Sequence, residues 1–299
     1  MELKRGWYHV IALLIVAIWG VTFISTKVLL ISGLSPEDIF FYRFLLAYIG
    51  IWFFGKNRLF SKSIKDELTF VLLGIAGGSA YFLTENYALK YTLASNVSLL
   101  VCVAPLFTAL LSHWFLKNEP INKRLMQGIL IAFLGVFLVI FNGQFILKLN
   151  PLGDILSIAA ALCWSVYNII LMKVNKRYTN VFITRKIFFY GVLTILPCFL
   201  IHPLTTDTSI LFSFKVLANI LFLGIVASLL CFFFWNMVVK KLGAVMTTNY
   251  VYIVPVVTLA ASSLLINEKI TIFAILGTLL ILLGVIWSES RGKNKNTKK

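Results

Sequence analysis

Charge is scarce in this 299-residue chain: aspartate, glutamate, lysine and arginine together make up 13% of it, and only 11 residues are acidic. A soluble domain is about a quarter charged and about 45–50% apolar. Here 60% is hydrophobic, and the mean hydropathy is +0.93. The chain therefore reads as an integral membrane protein with no soluble domain of any size. Cysteine is sparse too. Cys102, Cys163, Cys198 and Cys231 all fall in apolar segments, without a CxxC or a Cys/His cluster. That excludes a disulfide framework or a zinc site. No GxxxxGK[ST] loop is present, so ATP hydrolysis is excluded, and no cofactor or metal is expected. The strict ten-residue alternation of a membrane β-barrel is also missing.

What the chain has instead is long apolar runs. A hydrocarbon core of about 30 Å asks for about 20 apolar residues per helix. Ten runs meet this, over residues 8–29, 36–54, 68–89, 92–115, 124–142, 152–173, 180–201, 215–239, 243–266 and 270–288. The basic start "MELKRGWYHVIALLIVAIWGVTFIS" has no clear cleavage site and reads as an uncleaved first span. Nineteen lysines and arginines then fall on one side of the membrane and four on the other. By the positive-inside rule both termini are expected in the cytoplasm. The net charge of +16 belongs to these loops and not to a polar stripe, so nucleic acid is not an expected partner. The expected partners are a small-molecule substrate and membrane lipid, with monomer and homodimer left open. The expected location is the plasma (inner) membrane.

The chain also repeats itself. "YALKYTLASNVSLLVCVAPLFTALLSHWFLKNEPI" matches "MVVKKLGAVMTTNYVYIVPVVTLAASSLLINEKI" at an offset of 150. Pro105 then pairs with Pro255, Thr108 with Thr258, Ser112 with Ser262 and Gly74 with Gly224. After a one-residue slip, Glu119 pairs with Glu268, Gly128 with Gly277 and Gly135 with Gly284, while Trp19 aligns with Trp164. Five helices per copy is an odd number, so the second copy crosses in the opposite sense. The expected fold is an all-α membrane protein of ten transmembrane helices in two inverted five-helix repeats, residues 1–146 and 147–288, with a disordered basic tail at 289–299. Transporters built this way bind substrate near the midplane, between the halves.

Two stripes of small residues lie at helical spacing: Ser95, Ser98, Cys102, Pro105, Ala109 and Ser112, and Ala244, Thr248, Val251, Pro255, Thr258 and Ser262. Small residues let helix backbones approach in lipid, so packing alone accounts for them. The prolines add more, because each frees a carbonyl that must face protein or a cavity.

"ASNVSLLVCVAPLFTALLSHWFLKNEPI" with "GILIAFLGVFLVI", and "NYVYIVPVVTLAASSLLINEKI" with "GTLLILLGVIW", resemble the EamA family of the drug/metabolite transporter superfamily over essentially the whole chain. The resemblance implies a central cavity between the halves and alternating access, with the fourth and ninth helices among its walls. It implies an exporter of small amino-acid-like or drug-like compounds. A non-transporting scaffold or subunit and an intramembrane lipid-modifying enzyme are the alternatives. The enzyme would need paired acids or a metal set at membrane depth, and only Glu85 reads as clearly embedded.

Glu85 lies about 9 Å from the midplane of the third span, too deep for a carboxylate to snorkel comfortably. Its helical face carries Gly74, Gly78 and Tyr81. At the 150 offset its position holds Trp235, while Asn86 matches Asn236. The asparagine therefore belongs to the shared scaffold and the acid to one half only. Two roles fit Glu85: an ion pair with Lys27 or Arg43, or proton coupling and substrate contact. Arg43 matches Arg185, which favours a scaffold or snorkelling role for both. Asn96 and Asn249 fit either interhelical hydrogen bonds or substrate contact. With Ser98, Pro105, Pro255, Trp19, Trp164, Trp235, Tyr81 and Tyr252 they make up the candidate cavity.

Overall fold

The computed structural model describes residues 4–55, 59–92, 94–116, 123–141, 150–205, 207–266 and 272–289. All regular structure among them is helical. Helix α1 runs from Arg5 to Ile31, about 40 Å at 1.5 Å per residue, and more than a bilayer core requires. Ser35 caps α2 (Pro36–Ile51) in a capping box: its side chain accepts from the Asp38 amide, and Asp38 accepts from the Ser35 amide. Ser63 caps α3 (Ile64–Tyr91). Lys90 and Tyr91, which the sequence leaves between the third and fourth runs, belong to the last turn of this helix.

The expected fourth and ninth spans are broken, not continuous. The fourth is α4 (Ala94–Val101) and α5 (Ala104–Phe115), separated by a turn at Cys102–Val103. Next come α6 (Lys123–Phe141), α7 (Pro151–Val174), α8 (Asn180–Ile195) and the short α9 (Thr208–Leu211). Phe214–Leu242 forms α10. The ninth span is α11 (Ala244–Asn249), a 3-10 turn at Tyr250–Ile253 and α12 (Val254–Ile266). Helix α13 covers Ile272–Glu289. Each break falls just before its proline. Without an amide proton, Pro255 leaves the Val251 carbonyl without its helical partner, and Cys102 Sγ takes that place at 3.5 Å.

Among the described residues, five helices are long and apolar enough to cross a membrane: Arg5–Ile31, Ile64–Tyr91, Pro151–Val174, Asn180–Leu200 and Phe214–Leu242. Shorter apolar helices pack among them. Glycine sets the closest approaches. A Cβ on Gly135 would lie 2.6 Å from the Gly277 carbonyl oxygen, and one on Gly284 would lie 2.6 Å from that of Gly128. Helices α6 and α13 thus touch through backbone, as small residues permit in lipid. Gly74 meets Tyr190 on α8, and Gly224 meets Leu46 on α2. Both α3 and α10 carry a π-helical stretch beside these glycines, at Ile75–Ser79 and Phe222–Leu230.

Acids other than Glu85 are also covered by the fold. Glu37, Asp38 and Asp66 are buried as well, with Lys186 and Arg185. They sit at helix ends, where local donors offset the desolvation cost. Asp38 accepts from the amide (3.1 Å) and hydroxyl (2.7 Å) of Thr205, and Tyr87 donates to Glu37 at 2.5 Å. Where α3 begins, Tyr178 donates to Asp66 at 2.6 Å, and Lys186 and Tyr190 both bond Glu67. Arg185 does not snorkel: its guanidinium stacks 4.7 Å from the Trp52 ring. Glu119, Glu268, the tail from 290 onward and the side chains of Ser95, Asn96 and Ser262 lie outside the described residues.

Candidate functional site

A cavity with an empty volume of about 500 Å³, mouth included, opens at mid-height among the helices. Trp19 lies at the middle of α1, Arg43 at the middle of α2 and Trp164 near the middle of α7, and all three line it. Helix α3 contributes Tyr81, Phe82 and Glu85; α4 contributes Ser98 and Val101. Phe232 comes from α10, Val251 comes from the 3-10 turn of the ninth span, and Val254 is the first residue of α12. Val101 and Val251 each stand four residues before a proline, so the two helix breaks open where the cavity lies.

The walls are aromatic and interlocked. Trp19 and Trp164 meet edge to face, with centroids 5.1 Å apart, and Phe232 lies 5.8 Å from Trp164. Such pairs add about 0.5–1.5 kcal/mol each beyond area burial. The Trp19 indole donates to the Ala227 carbonyl at 3.1 Å, which fixes its ring.

Two charged groups stand in this apolar shell. The Tyr81 hydroxyl donates to Glu85 Oε1 at 2.8 Å. Arg43 Nε donates to Ser228 Oγ at 2.9 Å, and its guanidinium lies 4.1 Å above the Phe82 ring. Arg43 is 2% exposed and Glu85 6%. They interact electrostatically but form no direct ion pair within 4.0 Å. Among the described residues, no hydrogen bond engages the terminal Nη atoms of Arg43 or Glu85 Oε2.

Of the residues singled out from sequence, Glu85, Tyr81, Ser98, Trp19 and Trp164 come together here, joined by Arg43. Lys27 does not pair with Glu85. Its Nζ donates to the Leu89 carbonyl at 2.6 Å, one helical turn beyond the acid. Asn86 faces away and donates to the Pro36 carbonyl at 3.1 Å. Trp235 lies behind the wall, with its indole on Asn168 Oδ1 at 2.9 Å. Asn249, Tyr252, Pro105 and Pro255 are buried but do not line the cavity. Sequence reasoning passed over Phe82, Phe232 and Val101, and it placed Val251 in a packing stripe only, although a signal was available: Phe82 and Phe232, like Val101 and Val251, are 150 residues apart, the offset of the internal match.

Long apolar helices around a buried, charged cavity are those of a multi-pass membrane protein. The EamA-like transporter family matches residues 6–141 and again 151–289, and the chain belongs to that family. An uncharacterized transporter of Archaeoglobus fulgidus is 29% identical over 95% of this chain and 97% of its own. A protein of Escherichia coli named "Probable amino-acid metabolite efflux pump" is 26% identical over 95% of this chain and 94% of its own. A crystal structure with 18% sequence identity superposes with a TM-score of 0.75, covering 96% of this chain and 97% of that one. At that identity the likeness establishes the fold alone.

Proposed function

We propose that this protein is a secondary transporter that exports small amino-acid-like or drug-like metabolites across the plasma membrane by alternating access. In this reading ten spans form two inverted five-helix repeats, residues 1–146 and 147–288, with both termini in the cytoplasm. The observation that carries it is the mid-height cavity holding Arg43 and Glu85 with hydrogen-bonding capacity unspent. A scaffold gains nothing from two desolvated charges left short of partners, because burial without pairing is costly. A solute that satisfies them accounts for their presence. The split fourth and ninth spans supply the bends at which the wall would move. Support for efflux comes from the name of the Escherichia coli relative.

The test is flux through proteoliposomes containing only this protein, against a panel of amino acids, nucleosides and cationic drugs. Transport of at least one class above empty-liposome leakage is expected. Leakage-level flux for the whole panel would overturn the reading.

A further inference from the structure

We infer that Ser228 is a positioning residue for the cavity: its hydroxyl, supplied by the second copy, sets the direction in which the Arg43 guanidinium of the first copy faces. The inference rests on the transport reading and adds to it a residue that does not itself line the cavity. It starts from the backbone of α10. In an α-helix the Cys231 amide would donate to the Ala227 carbonyl, four residues back. At the end of the π-helical stretch Phe222–Leu230 it donates to the carbonyls of Val226 and Ser228 instead. The Ala227 carbonyl is released from that bond, and the Trp19 indole donates to it at 3.1 Å. The next residue, Ser228, is fully buried and accepts from Arg43 Nε at 2.9 Å. Two neighbouring residues of one irregular turn thus hold two side chains that line the cavity. π-Helical turns are rare and gather at functional sites.

Direction is what the serine adds. The Phe82 face carries the guanidinium at 4.1 Å, but a ring attracts a cation without fixing how it turns in its own plane. A hydrogen bond is directional, and Nε shares one rigid plane with both Nη groups. Holding Nε therefore aims the Nη fork. Close backbone approach brings the hydroxyl within reach: a Cβ on Gly224, four residues before Ser228, would lie 3.3 Å from the Arg43 carbonyl oxygen. The internal repeat separates this role from packing. At the 150 offset Ala227 and Ser228 match Gly77 and Gly78, and the first copy has its own π-helical stretch there, at Ile75–Ser79. A Cβ on Gly77 would lie 2.2 Å from the Tyr167 ring, so that turn is given over to close packing. The irregular turn belongs to the shared scaffold, and the hydroxyl only to the copy whose turn meets Arg43.

The test reads Arg43 without a solute and transport with one. Full-length protein is purified in detergent with isotope-labelled arginine, and the Arg43 Nε–H resonance is assigned by its absence in Arg43→Lys. Ser228→Ala is expected to move that proton resonance upfield and to speed its exchange with water. Ser228→Thr, which keeps the hydroxyl, is expected to restore both. In proteoliposomes the same variants are compared on whichever solute of the amino-acid, nucleoside and drug panel the wild type moves fastest. Ser228→Ala is expected to raise KM about tenfold, the scale of a lost charge-assisted hydrogen bond, with the maximal rate within about twofold. Where Ser228→Ala does not fold, Ser228→Cys, of similar volume and only weakly accepting, is read in its place. A lower melting temperature in the variant with the Arg43 resonance or KM unmoved would overturn the inference, since that is what packing alone predicts. Leakage-level flux in the wild type beside a shifted Arg43 resonance sinks transport and leaves the hold on Arg43 standing. Normal flux with an unmoved resonance does the reverse.

Discussion

The two sequence copies treat matched arginines differently. Arg43 sits at mid-helix, stacks on Phe82, bonds Ser228 and faces the cavity. Arg185, its counterpart, lies near the start of α8 and stacks on Trp52 and Phe182, away from the cavity. The same split runs through the site. Much of its apolar wall comes in matched pairs, Trp19 with Trp164, Phe82 with Phe232 and Val101 with Val251, with Phe23 and Val254 unmatched, whereas both charges come from the first copy. The position matching Glu85 holds Trp235, whose indole is committed to Asn168. A repeated scaffold can thus carry one-sided charge: the walls that appear twice serve packing, while one guanidinium and one carboxylate enter the cavity from the first copy alone.

Scaffold positions are expected to behave alike in both copies, and this gives the largest effect. Gly135→Leu and Gly284→Leu each drive a side chain into the backbone of the facing helix. Both are expected to abolish the monodisperse peak on size-exclusion chromatography; a well-folded Gly284→Leu beside a collapsed Gly135→Leu would break the symmetry of the scaffold. Arginine substitutions come next. Arg43→Gln is expected to cut substrate flux by about 10–100-fold with folded protein retained, the range for a lost charge-assisted contact. Arg185→Gln is expected to lower the melting temperature while flux stays within about twofold. Equal flux losses in the two would refute the one-sided assignment.

A finer contrast separates the matched phenylalanines. Phe82 supports the Arg43 guanidinium, and a cation–π contact contributes about 0.5–2 kcal/mol, whereas Phe232 supplies wall alone. Phe82→Leu is therefore expected to weaken substrate binding severalfold more than Phe232→Leu, as read from paired binding isotherms. The smallest effect is expected at Trp235→Phe. It loses the bond to Asn168, worth about 1 kcal/mol of stability, and leaves flux unchanged. A selective drop in flux at constant melting temperature would bring Trp235 into the site after all.

Much of this was legible before any coordinates. The inward stripe on the fourth span is borne out where its side chains are described: Ser98, Cys102, Pro105, Ala109 and Ser112 are all buried. Three-and-four spacing of small residues reports a face whatever it packs against. Glu85, Tyr81, Trp19 and Trp164 were recognisable because a charge or a large ring at mid-span has few cheap reasons to be there. The place of Arg43 in the cavity was not legible. Its match to Arg185 suggested scaffolding, and only the crossing of α2 with α3 and α10 shows that Phe82, Ser228 and Glu85 gather around it. Lys27 was misassigned as a partner of Glu85 because spacing along two helices does not say which turns lie level across them; the ammonium meets the Leu89 carbonyl instead.

The sequence by itself determined that the chain lives in a membrane, that it repeats at an offset of 150, and that prolines 105 and 255 interrupt matched spans. Those follow from hydropathy, composition and local backbone chemistry, which act over a few turns of helix. The tertiary structure decided which side chains share a cavity, which charges are satisfied by caps and carbonyls, and which are left facing open space. These outcomes depend on the register and crossing of helices distant in sequence. That placement leaves one carboxylate oxygen and one guanidinium fork of the first copy unengaged beside an aromatic wall drawn from both.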